Sequence, residues 1–447
     1  MDRLSVFAVA VALALPFCAH AADFTVDTAI DAPDANPGDG VCADADGDCS
    51  LRAAIQESNA LQGADTIALP AGVFAITIAG DDDAGASGDF DIDDDVTIIG
   101  AGGDETIVDG GALDRVFDAH AGTVHFQALT IRNGALTGQA LEPAGAGLRT
   151  AAGVTTFLDD VVLRDNHLAS KTGGIAIHAQ GCVTGNHVRI LDNRDTAETG
   201  SAWATAAVHL DGAGACLDLS DSELSGNLAD FAGAIESDFA PITIRRSLIS
   251  DNEARFSGAM LLNLDADTLL ENVTISGNRG NPGAIMNDGG SHLTLVHCTV
   301  TGNGPSNSIS NIGGIQDVHG GFGLTFLSNT ILSGNGPGFI ADDCSNATSD
   351  GGNIIGDSAR CHLDDQPSDQ LDADPELGPL ADNGGFTRTH LPGAAAIDTA
   401  QAPACPPTDQ RGSPRPVDGD DNGDSACDVG AVEVQRDLLF SDGFDPP

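Results

Sequence analysis

Aromatic and basic residues are scarce in this chain of 447 residues. It contains no Tyr, one Trp and 17 Phe, and its 18 basic residues face 67 acidic ones, which gives a formal net charge of −49. A surface of that sign repels nucleic acid and anionic lipid, so nucleic-acid binding is a poor hypothesis. Hydrophobic residues still make up 41% of the chain, which is enough for a packed core.

Long apolar runs are confined to the N-terminus. Arg3 precedes an apolar run over residues 4–17, and Ala19, His20 and Ala21 form a small-x-small cleavage sequence. Residues 1–21 are therefore predicted to be a Sec-type signal peptide. A lipoprotein interpretation of Cys18 is the alternative, against which the bulky residue before it argues. No later stretch has the roughly 20 apolar residues of a membrane span, so we expect a secreted or cell-surface protein.

Cys-x-x-Cys pairs are absent, which argues against zinc-ribbon and thioredoxin-like sites. The nine cysteines after the leader suit an exported, disulfide-permissive chain. They are predicted to pair locally, as Cys42 with Cys49, Cys182 with Cys216, Cys344 with Cys361 and Cys405 with Cys427. Cys298 is left over, and a buried thiol is favoured there over a reactive cysteine.

A six-residue motif recurs seven times and ends each time in Asn. It reads small or β-branched, x, aliphatic, x, Gly or Asp, Asn, and successive Asn residues are 27, 34, 25, 26, 25 and 32 residues apart. A recurrence of that length is typical of a solenoid. The terminal residues of the motif are Asn166, Asn193, Asn227, Asn252, Asn278, Asn303 and Asn335.

The motif predicts an all-β fold, a right-handed parallel β-helix whose short strands stack coil upon coil. We expect the aliphatic slots to stack inward as one column, namely Leu163, Ile190, Leu224, Ile249, Ile275, Val300 and Leu332. Each Asn is expected to adopt the left-handed conformation at a turn, and the Asn side chains to hydrogen-bond along the axis as a ladder. A structural role is favoured for them over a catalytic one.

A second recurring segment, Gly-Ala-Ile or similar, fixes the length of one side of each coil. It occurs at residues 145–148, 173–175, 233–235, 258–260, 283–285 and 313–315, with 206–208 as a substitute. From its last residue to the next Asn there are 17 to 20 residues, whereas from Asn to the next segment there are 7 to 15. Insertions are thus confined to one corner, often a binding face. One of the two largest holds Trp203, a candidate binding residue.

Both ends of the array are predicted to be capped. Leu51, Ala54 and Ile55 have helical spacing behind Ser50, a candidate N-cap, so residues 22–65 are expected to carry one short helix over the end of the core. Residues 66–345 are assigned to the solenoid, 346–434 to a disulfide-rich C-terminal region and 435–447 to a tail.

The repeats resemble right-handed parallel β-helix proteins of the pectate-lyase-like superfamily. Residues 49–54, CSLRAA, resemble the CSLREA-type N-terminal domain of secreted bacterial proteins, with Ala53 where that motif has Glu. The C-terminal region resembles the choice-of-anchor Q domain at residues 374–380, 382–385, 396–398, 408–412 and 428–433. The resemblance implies that the protein is exported and has this fold, and it implies less about any reaction that the protein catalyses. The tail resembles the Phe-x-Asp-Gly-Phe endings of some secreted proteobacterial proteins, as a sorting signal, with a final capping strand as the alternative.

The resemblance also implies what an active site would need. Lyases of this superfamily use a basic residue near a carboxylate-held Ca²⁺, and hydrolases use clustered Asp with His and an Arg/Lys pair. The chain has Asp159 and Asp160 but no Gly-His-Gly and no Arg-x-Lys, and a solvated turn is the favoured role for this Asp pair. The histidines are scattered, without a His-x-x-x-His pair to suggest zinc.

Two acidic loops predict calcium sites. Oxygen ligands alternate with other residues at Asp44, Asp46 and Asp48, and again at Asp418, Asp420, Asn422 and Asp424. This spacing suits a hard cation with six to eight oxygen ligands. Neither loop completes an EF-hand, and a solvated acidic loop is the alternative. A further acidic cluster lies at residues 81–83 and 91–95.

Two functional hypotheses follow. The leading one is an exported, non-catalytic protein of adhesin or matrix type, a monomer whose partner is an extracellular glycan or protein. It rests on the long array, the insertions at one corner and the missing catalytic motifs. The alternative is a Ca²⁺-dependent polysaccharide lyase or glycoside hydrolase, which clustered carboxylates beside a basic residue would favour.

Overall fold

The computed structural model describes residues 21–80, 85–136, 145–169, 173–195, 204–205, 207–305, 312–318, 324–336, 343–401 and 403–435. Most of the predicted signal peptide, Trp203, the acidic residues 81–83 and the tail from residue 436 onward lie outside these ranges. No helix of the described residues is long and apolar enough to cross a membrane.

The N-terminal cap contains helix α1, Leu51–Ala60, as the apolar spacing predicts. Ser50 is its N-cap, and the hydroxyl oxygen accepts the N–H of Ala53 at 3.0 Å. Arg52 is fully buried and pairs with Asp31 at 2.6 Å, so the cap is joined to the first coil by charge as well as by apolar contacts.

The strands form a parallel β-helix with three faces. A ten-stranded sheet makes the first face, and a 22-stranded sheet makes the second and third faces. The larger sheet covers two faces because its longest strands, Thr123–Arg132 and Thr155–Arg164, each turn a corner at a residue with positive φ, Ala128 or Asp160. The predicted all-β parallel β-helix is thereby confirmed.

The strand bounds follow the coils. The first face consists of Phe90–Ile92, Phe117–Ala119, Leu148–Thr150, Ile177–Ala179, Val208–Asp211, Ile235–Asp238, Met260–Asn263, Ile285–Asn287, Ile315–Asp317 and Cys344–Ser345. The second and third faces consist of Asp23–Thr25, Asp65–Ala68, Gly72–Ala75, Val96–Ile99, Thr106–Asp109, Thr123–Arg132, Thr155–Arg164, Cys182–Asn186, Arg189–Leu191, Cys216–Ser220, Glu223–Ser225, Ile242–Arg245, Leu248–Ser250, Asp267–Glu271, Thr274–Ser276, His292–Val296, Thr299–Thr301, Thr325–Ser328, Ile331–Ser333, Thr348–Gly351, Ile354–Ile355 and Gln370–Leu371. Shorter strands at the insertion-bearing corner are Ala135–Leu136, His167–Leu168, Gly173–Gly174, Arg194–Asp195, Ala204–Thr205, Arg279–Gly280 and Gly304–Pro305.

The aliphatic slots of the motif stack in register on the third face. Leu163 pairs with Ile190, and the column continues coil by coil to Leu332. None of its seven members exposes any surface. The column therefore lies entirely within the core.

The Asn residues form a continuous buried ladder. From Asn166 to Asn335, each side-chain Nδ2 donates to the Oδ1 of the Asn in the next coil at 2.8–2.9 Å. The backbone N–H of each donates to that same Oδ1. Asp343 Oδ1 accepts the last side-chain bond at 2.8 Å, so a carboxylate ends the ladder.

The left-handed residue at this corner is the one before each Asn. Positive φ angles lie at Asp165, Asp192, Gly226, Asp251, Gly277, Gly302 and Gly334. The prediction that Asn itself takes this conformation was wrong. The Gly or Asp of the fifth motif position makes the turn, which explains why only those two residues occupy it and leaves the Asn side chain to bond along the axis.

The cysteines form the disulfides Cys42–Cys49, Cys182–Cys216, Cys344–Cys361 and Cys405–Cys427. Cys298 is free and fully buried, and burial raises the pKa of its thiol to about 12. A thiol that remains protonated at neutral pH suits the structural interpretation of this residue.

The C-terminal region runs back along the third face of the solenoid. Arg388 Nη2 lies 3.4 Å from Glu223 Oε1, and the N–H of Gln401 donates to Asn329 Oδ1 at 2.7 Å. A small separate core joins the two parts through Ile331, Ile354, Ala396 and Val429. The third face is thus partly covered by the C-terminal region.

Candidate active site

Ionisable side chains form a row along the first face. The middle residue of each strand pairs in register with the middle residue of the next, and flanking residues such as Phe117 and Ala119 lie in the core, so the middle residues point away from it. In coil order the row is Asp91, Asp118, Arg149, His178, His209, Glu236, Leu261, Met286, Gln316 and Ser345. Its first six members are charged or titratable, and neighbours are about 4.8 Å apart along the axis.

Four ionisable members of the row are buried although they point away from the core. Asp91, Asp118, His178 and Glu236 expose between 2 and 6% of their surface. The insertion-bearing corner supplies part of the cover, because Thr205 donates a hydrogen bond to Glu236 and the N–H of Gly174 donates to His178 Nδ1. Buried ionisable groups are costly unless partners compensate them, so the partners of each group decide its role.

The N-terminal part of the row is the arginine-paired cluster, formed by Asp89, Asp91, Arg115, Asp118, His120 and Arg149. Arg149 forms two hydrogen bonds with the Asp118 carboxylate, both of 2.6 Å. Arg115 bridges Asp118 and Asp89, the latter at 3.2 Å. His120 lies within 3.7 Å of the carboxylates of Asp91 and Asp118. Every charge of this cluster meets an opposite charge.

Proton affinities in the arginine-paired cluster follow from these contacts. The contact with Asp118 raises the pKa of His120 to about 9, although burial opposes the shift. Burial alone would raise the pKa of Asp118, but His120, Arg115 and Arg149 outweigh it and lower that pKa. Burial raises the pKa of Asp89 to about 6, against the charge of Arg115. At neutral pH the cluster is a network of ion pairs.

The centre of the row is the central cluster, formed by His178, Thr205, His209, Asp211, Glu236 and Asp238. The rings of His178 and His209 meet edge to face with centroids 5.1 Å apart. His178 Nε2 lies 3.7 Å from Asp211 Oδ2, and His209 Nε2 lies 3.5 Å from Asp238 Oδ2. Among the described residues, no arginine or lysine forms an ion pair with these carboxylates.

Polar atoms of the central cluster remain without hydrogen bonds. His178 Nε2 and both ring nitrogens of His209 are buried and have no hydrogen-bond partner among the described residues. Burial raises the pKa of Glu236, with His209 as the main opposing influence. The contact with His178 lowers the pKa of Asp211. Two carboxylates whose pKa values are displaced in opposite directions are a common feature of acid–base sites.

Three groups of potential metal ligands come together among the described residues, each with ligand atoms within 4.8 Å of one another. They are Asp91 with Asp118 and His120, His209 with Glu236 and Asp238, and Asp398 with Asp418 and Asp420. Arginines neutralise the first group. In the third, Asp398 Oδ2 already accepts the N–H groups of Gly419 and Asp420.

The predicted calcium residues are only partly brought together. Asp418 and Asp420 meet Asp398, which the sequence did not single out, whereas Asn422 donates its side-chain amide to Asp420 and Asp424 donates its N–H to Asn422 Oδ1. In the first loop, Asp44 Oδ1 accepts the N–H groups of Asp46 and Asp48, and the side chains of both donors are exposed. Calcium binding by either loop stays a prediction.

The Asp159–Asp160 pair lies at the corner between the second and third faces. Asp159 Oδ2 is 2.7 Å from His125 Nε2, and Asp160, at φ 54°, is 3.2 Å from His187 Nδ1. Neither contact belongs to the first face, and the positive φ fits the turn favoured from the sequence.

Sequence reasoning missed the row because its members are about one coil apart. The sequence pattern that could have revealed the row is the residue directly after each Gly-Ala-Ile segment, for example Arg149, His209 and Glu236. One coil was also aligned wrongly, since the register pairs Ile177, not Ile175, with Leu148. The correct register brings His178 into the row, although the histidines look scattered along the chain.

Comparison with known proteins finds a similar fold and gives no function for this chain. No family model and no curated protein match the sequence. The fold is similar to that in the crystal structure of pectate lyase Pel9A, with a TM-score of 0.44 and 14% identity, over 93% of this chain and 96% of that one. A similarity at this level does not extend to activity.

Proposed function

We propose that the protein is an exported glycoside hydrolase whose first face binds an extended, neutral polysaccharide and whose central cluster cleaves it. The observation that carries the proposal is the central cluster, where imidazole and carboxylate groups lie together and, among the described residues, no arginine or lysine pairs with the carboxylates. A protein that needed these groups only for stability would be expected to pair them, as the arginine-paired cluster does. The proposal thus adopts the enzymatic hypothesis over the adhesin hypothesis.

The shape and charge of the face support this class of substrate. A row that repeats with each coil suits a linear polymer with a short repeat better than a compact ligand. The net charge of −49 and the carboxylates of the row disfavour a polyanionic chain, such as a polyuronate. A neutral glycan avoids that repulsion, and a neutral glycan without a uronate group is cleaved by hydrolysis.

Asp211 is the proton acceptor in this proposal: it takes a proton from the attacking water and passes it to the departing sugar oxygen, so that the cleavage consumes only water. The Asp211 side chain is 43% exposed, more than that of Asp238 at 27%, and the contact with His178 keeps it ionised. Gln180 donates to the same Oδ2 at 3.1 Å and fixes its position. A positioned acid or base contributes about 10²–10⁴-fold to a rate.

Export is supported by the disulfides, which persist in oxidising compartments. The resemblance of residues 49–54 and 374–433 to the CSLREA-type and choice-of-anchor Q domains agrees with a secreted or surface-attached enzyme. The leader and the tail would direct that export.

The test is reducing-end release from a panel of neutral and anionic polysaccharides by the purified chain. We expect turnover of a neutral glycan that falls at least about 100-fold in Asp211→Asn. The matched control is Asp218→Asn, another half-exposed aspartate, on the second face. Tight binding without turnover would instead support the adhesin hypothesis, and turnover of a polyuronate alone would overturn the neutral-substrate proposal.

A further inference from the structure

We propose that His209, Glu236 and Asp238 bind one first-row divalent metal ion, best matched by Zn²⁺. The inference deepens the proposed function by naming a cofactor of the central cluster. It rests on that function for the role of the ion but not for its binding.

The strand register preorganises the three ligands. His209 lies opposite Glu236 in the neighbouring strand, and Asp238 follows two residues later on the same face. One ring nitrogen and two carboxylate oxygens lie within 4.8 Å of one another. Zinc binds such atoms at about 2.0–2.2 Å, which places ligands about 3–4 Å apart, so small side-chain rotations complete the set.

The imidazole of His209 gives an independent indication of a ligand. Both of its ring nitrogens are buried without a hydrogen-bond partner among the described residues, and its nearest ion-pair oxygen, Asp238 Oδ2, is 3.5 Å away. Leaving buried polar atoms unsatisfied costs free energy. Coordination of one nitrogen to a metal ion removes part of that cost.

The charges around the three ligands also favour a bound cation. Glu236 is 6% exposed, yet no arginine or lysine in the described part of the chain pairs with it or with Asp238. Asp118, four coils before Glu236 in the same row, is held by two arginines. A bound cation would do for Glu236 and Asp238 what the guanidinium groups do for Asp118.

Neighbouring groups support the ligands and leave one side open. Thr205 Oγ1 donates to Glu236 Oε2, the kind of outer contact that orients a ligating carboxylate. The Asp238 side chain is 27% exposed, so water or a ligand oxygen can reach a fourth coordination position. A mixed nitrogen and oxygen set favours zinc over calcium, which takes six to eight oxygen ligands.

The test is calorimetric titration of the chelator-treated full chain with ZnCl₂, without substrate. We expect one tight site and at least about 10-fold weaker binding in His209→Ala and in Glu236→Gln. His125→Ala is the matched control, because His125 also contacts an aspartate but lies on the second face. Circular dichroism of each variant verifies folding.

Equal zinc affinity and stoichiometry in wild type, His209→Ala and Glu236→Gln would overturn the inference, since the ion would then sit elsewhere on the acidic surface. Tighter binding of Ca²⁺ than of Zn²⁺ at this site would overturn the choice of metal. Zinc binding without polysaccharide turnover would sustain the site and remove the proposed hydrolase. Polysaccharide turnover that survives chelation, in a protein that binds no zinc, would sustain the proposed hydrolase and remove the metal site.

Discussion

The arginine-paired cluster and the central cluster occupy the same row, on the same face, with the same strand spacing. Both combine imidazole with buried carboxylates. They differ in their partners: Asp118 meets Arg115 and Arg149, whereas Glu236 has no arginine or lysine partner among the described residues. We infer from this difference that the first cluster stabilises the coils, and we propose that the groups of the second are available for chemistry.

The largest expected effect concerns Asp118. Asp118→Asn removes the carboxylate shared by Arg115, which is buried, and Arg149, which is half-buried, and should lower the free energy of unfolding by about 3–5 kcal/mol, because the positive charge at this position loses part of its compensation. Chemical denaturation measures the loss. Asp93→Asn is the control, since Asp93 is 48% exposed and should cost less than about 1 kcal/mol. Equal losses would remove the structural role assigned to the arginine-paired cluster.

The next effect is the pH dependence of stability. The pKa of His120 rises from 6.5 to about 9 on folding, so the protonated form favours the folded state. Its stabilisation is complete below pH 6.5 and disappears as the pH rises through about 9. After allowance for solvent screening of a partly exposed ring, we expect wild type to lose about 1 kcal/mol more than His120→Gln over this interval. Parallel stability curves for the two proteins would contradict the assignment.

Glu236→Gln should have a smaller effect on stability than Asp118→Asn. Glutamine retains an acceptor for Thr205 Oγ1 and removes a buried carboxylate that no arginine or lysine of the described residues pairs with. The free energy of unfolding should therefore change by less than about 1 kcal/mol, or increase. Thermal and chemical denaturation in metal-free buffer test this. A loss as large as that of Asp118→Asn would show that the two clusters are both structural.

The smallest effect is expected from calcium at the exposed acidic loops. Millimolar Ca²⁺ should raise the melting temperature by less than about 2 °C, as weak binding to a folded state requires. Asp420→Asn should abolish the part of this rise in melting temperature that comes from calcium bound by Asp398, Asp418 and Asp420. No shift in wild type would remove the calcium hypothesis for both loops and leave the first face as the place to seek a metal.

Much of the scaffold could be predicted because its rules are local or strictly periodic. Ser50 and the apolar residues that follow it predict α1 from local sequence alone, because the N-cap and the apolar spacing lie within about two helical turns. The aliphatic column and the Asn ladder follow from one motif in successive coils. The turn conformation was misassigned by a single residue, since Asp192 or Gly226, rather than the Asn after it, has the positive φ.

The central cluster was hidden for a physical reason. His178, His209 and Glu236 are separated by variable insertions, and each sits in a strand of only three or four residues. No local pattern therefore marks them as neighbours, and a two-residue error in one coil removes His178 from the row. The burial of His178 and Glu236, and the absence of arginine and lysine partners among the described residues, are also properties of the assembled coils and not of any single segment.

The sequence by itself determined the solenoid, because periodic aliphatic and Asn residues can satisfy their packing and hydrogen bonds only when coils stack. Only the tertiary structure decided which ionisable residues meet on the first face, since strand register brings together residues about 30 positions apart. It also decided which of them obtain arginine partners. Periodicity sets the spacing of the row, and the side chains brought together at each coil set its chemistry.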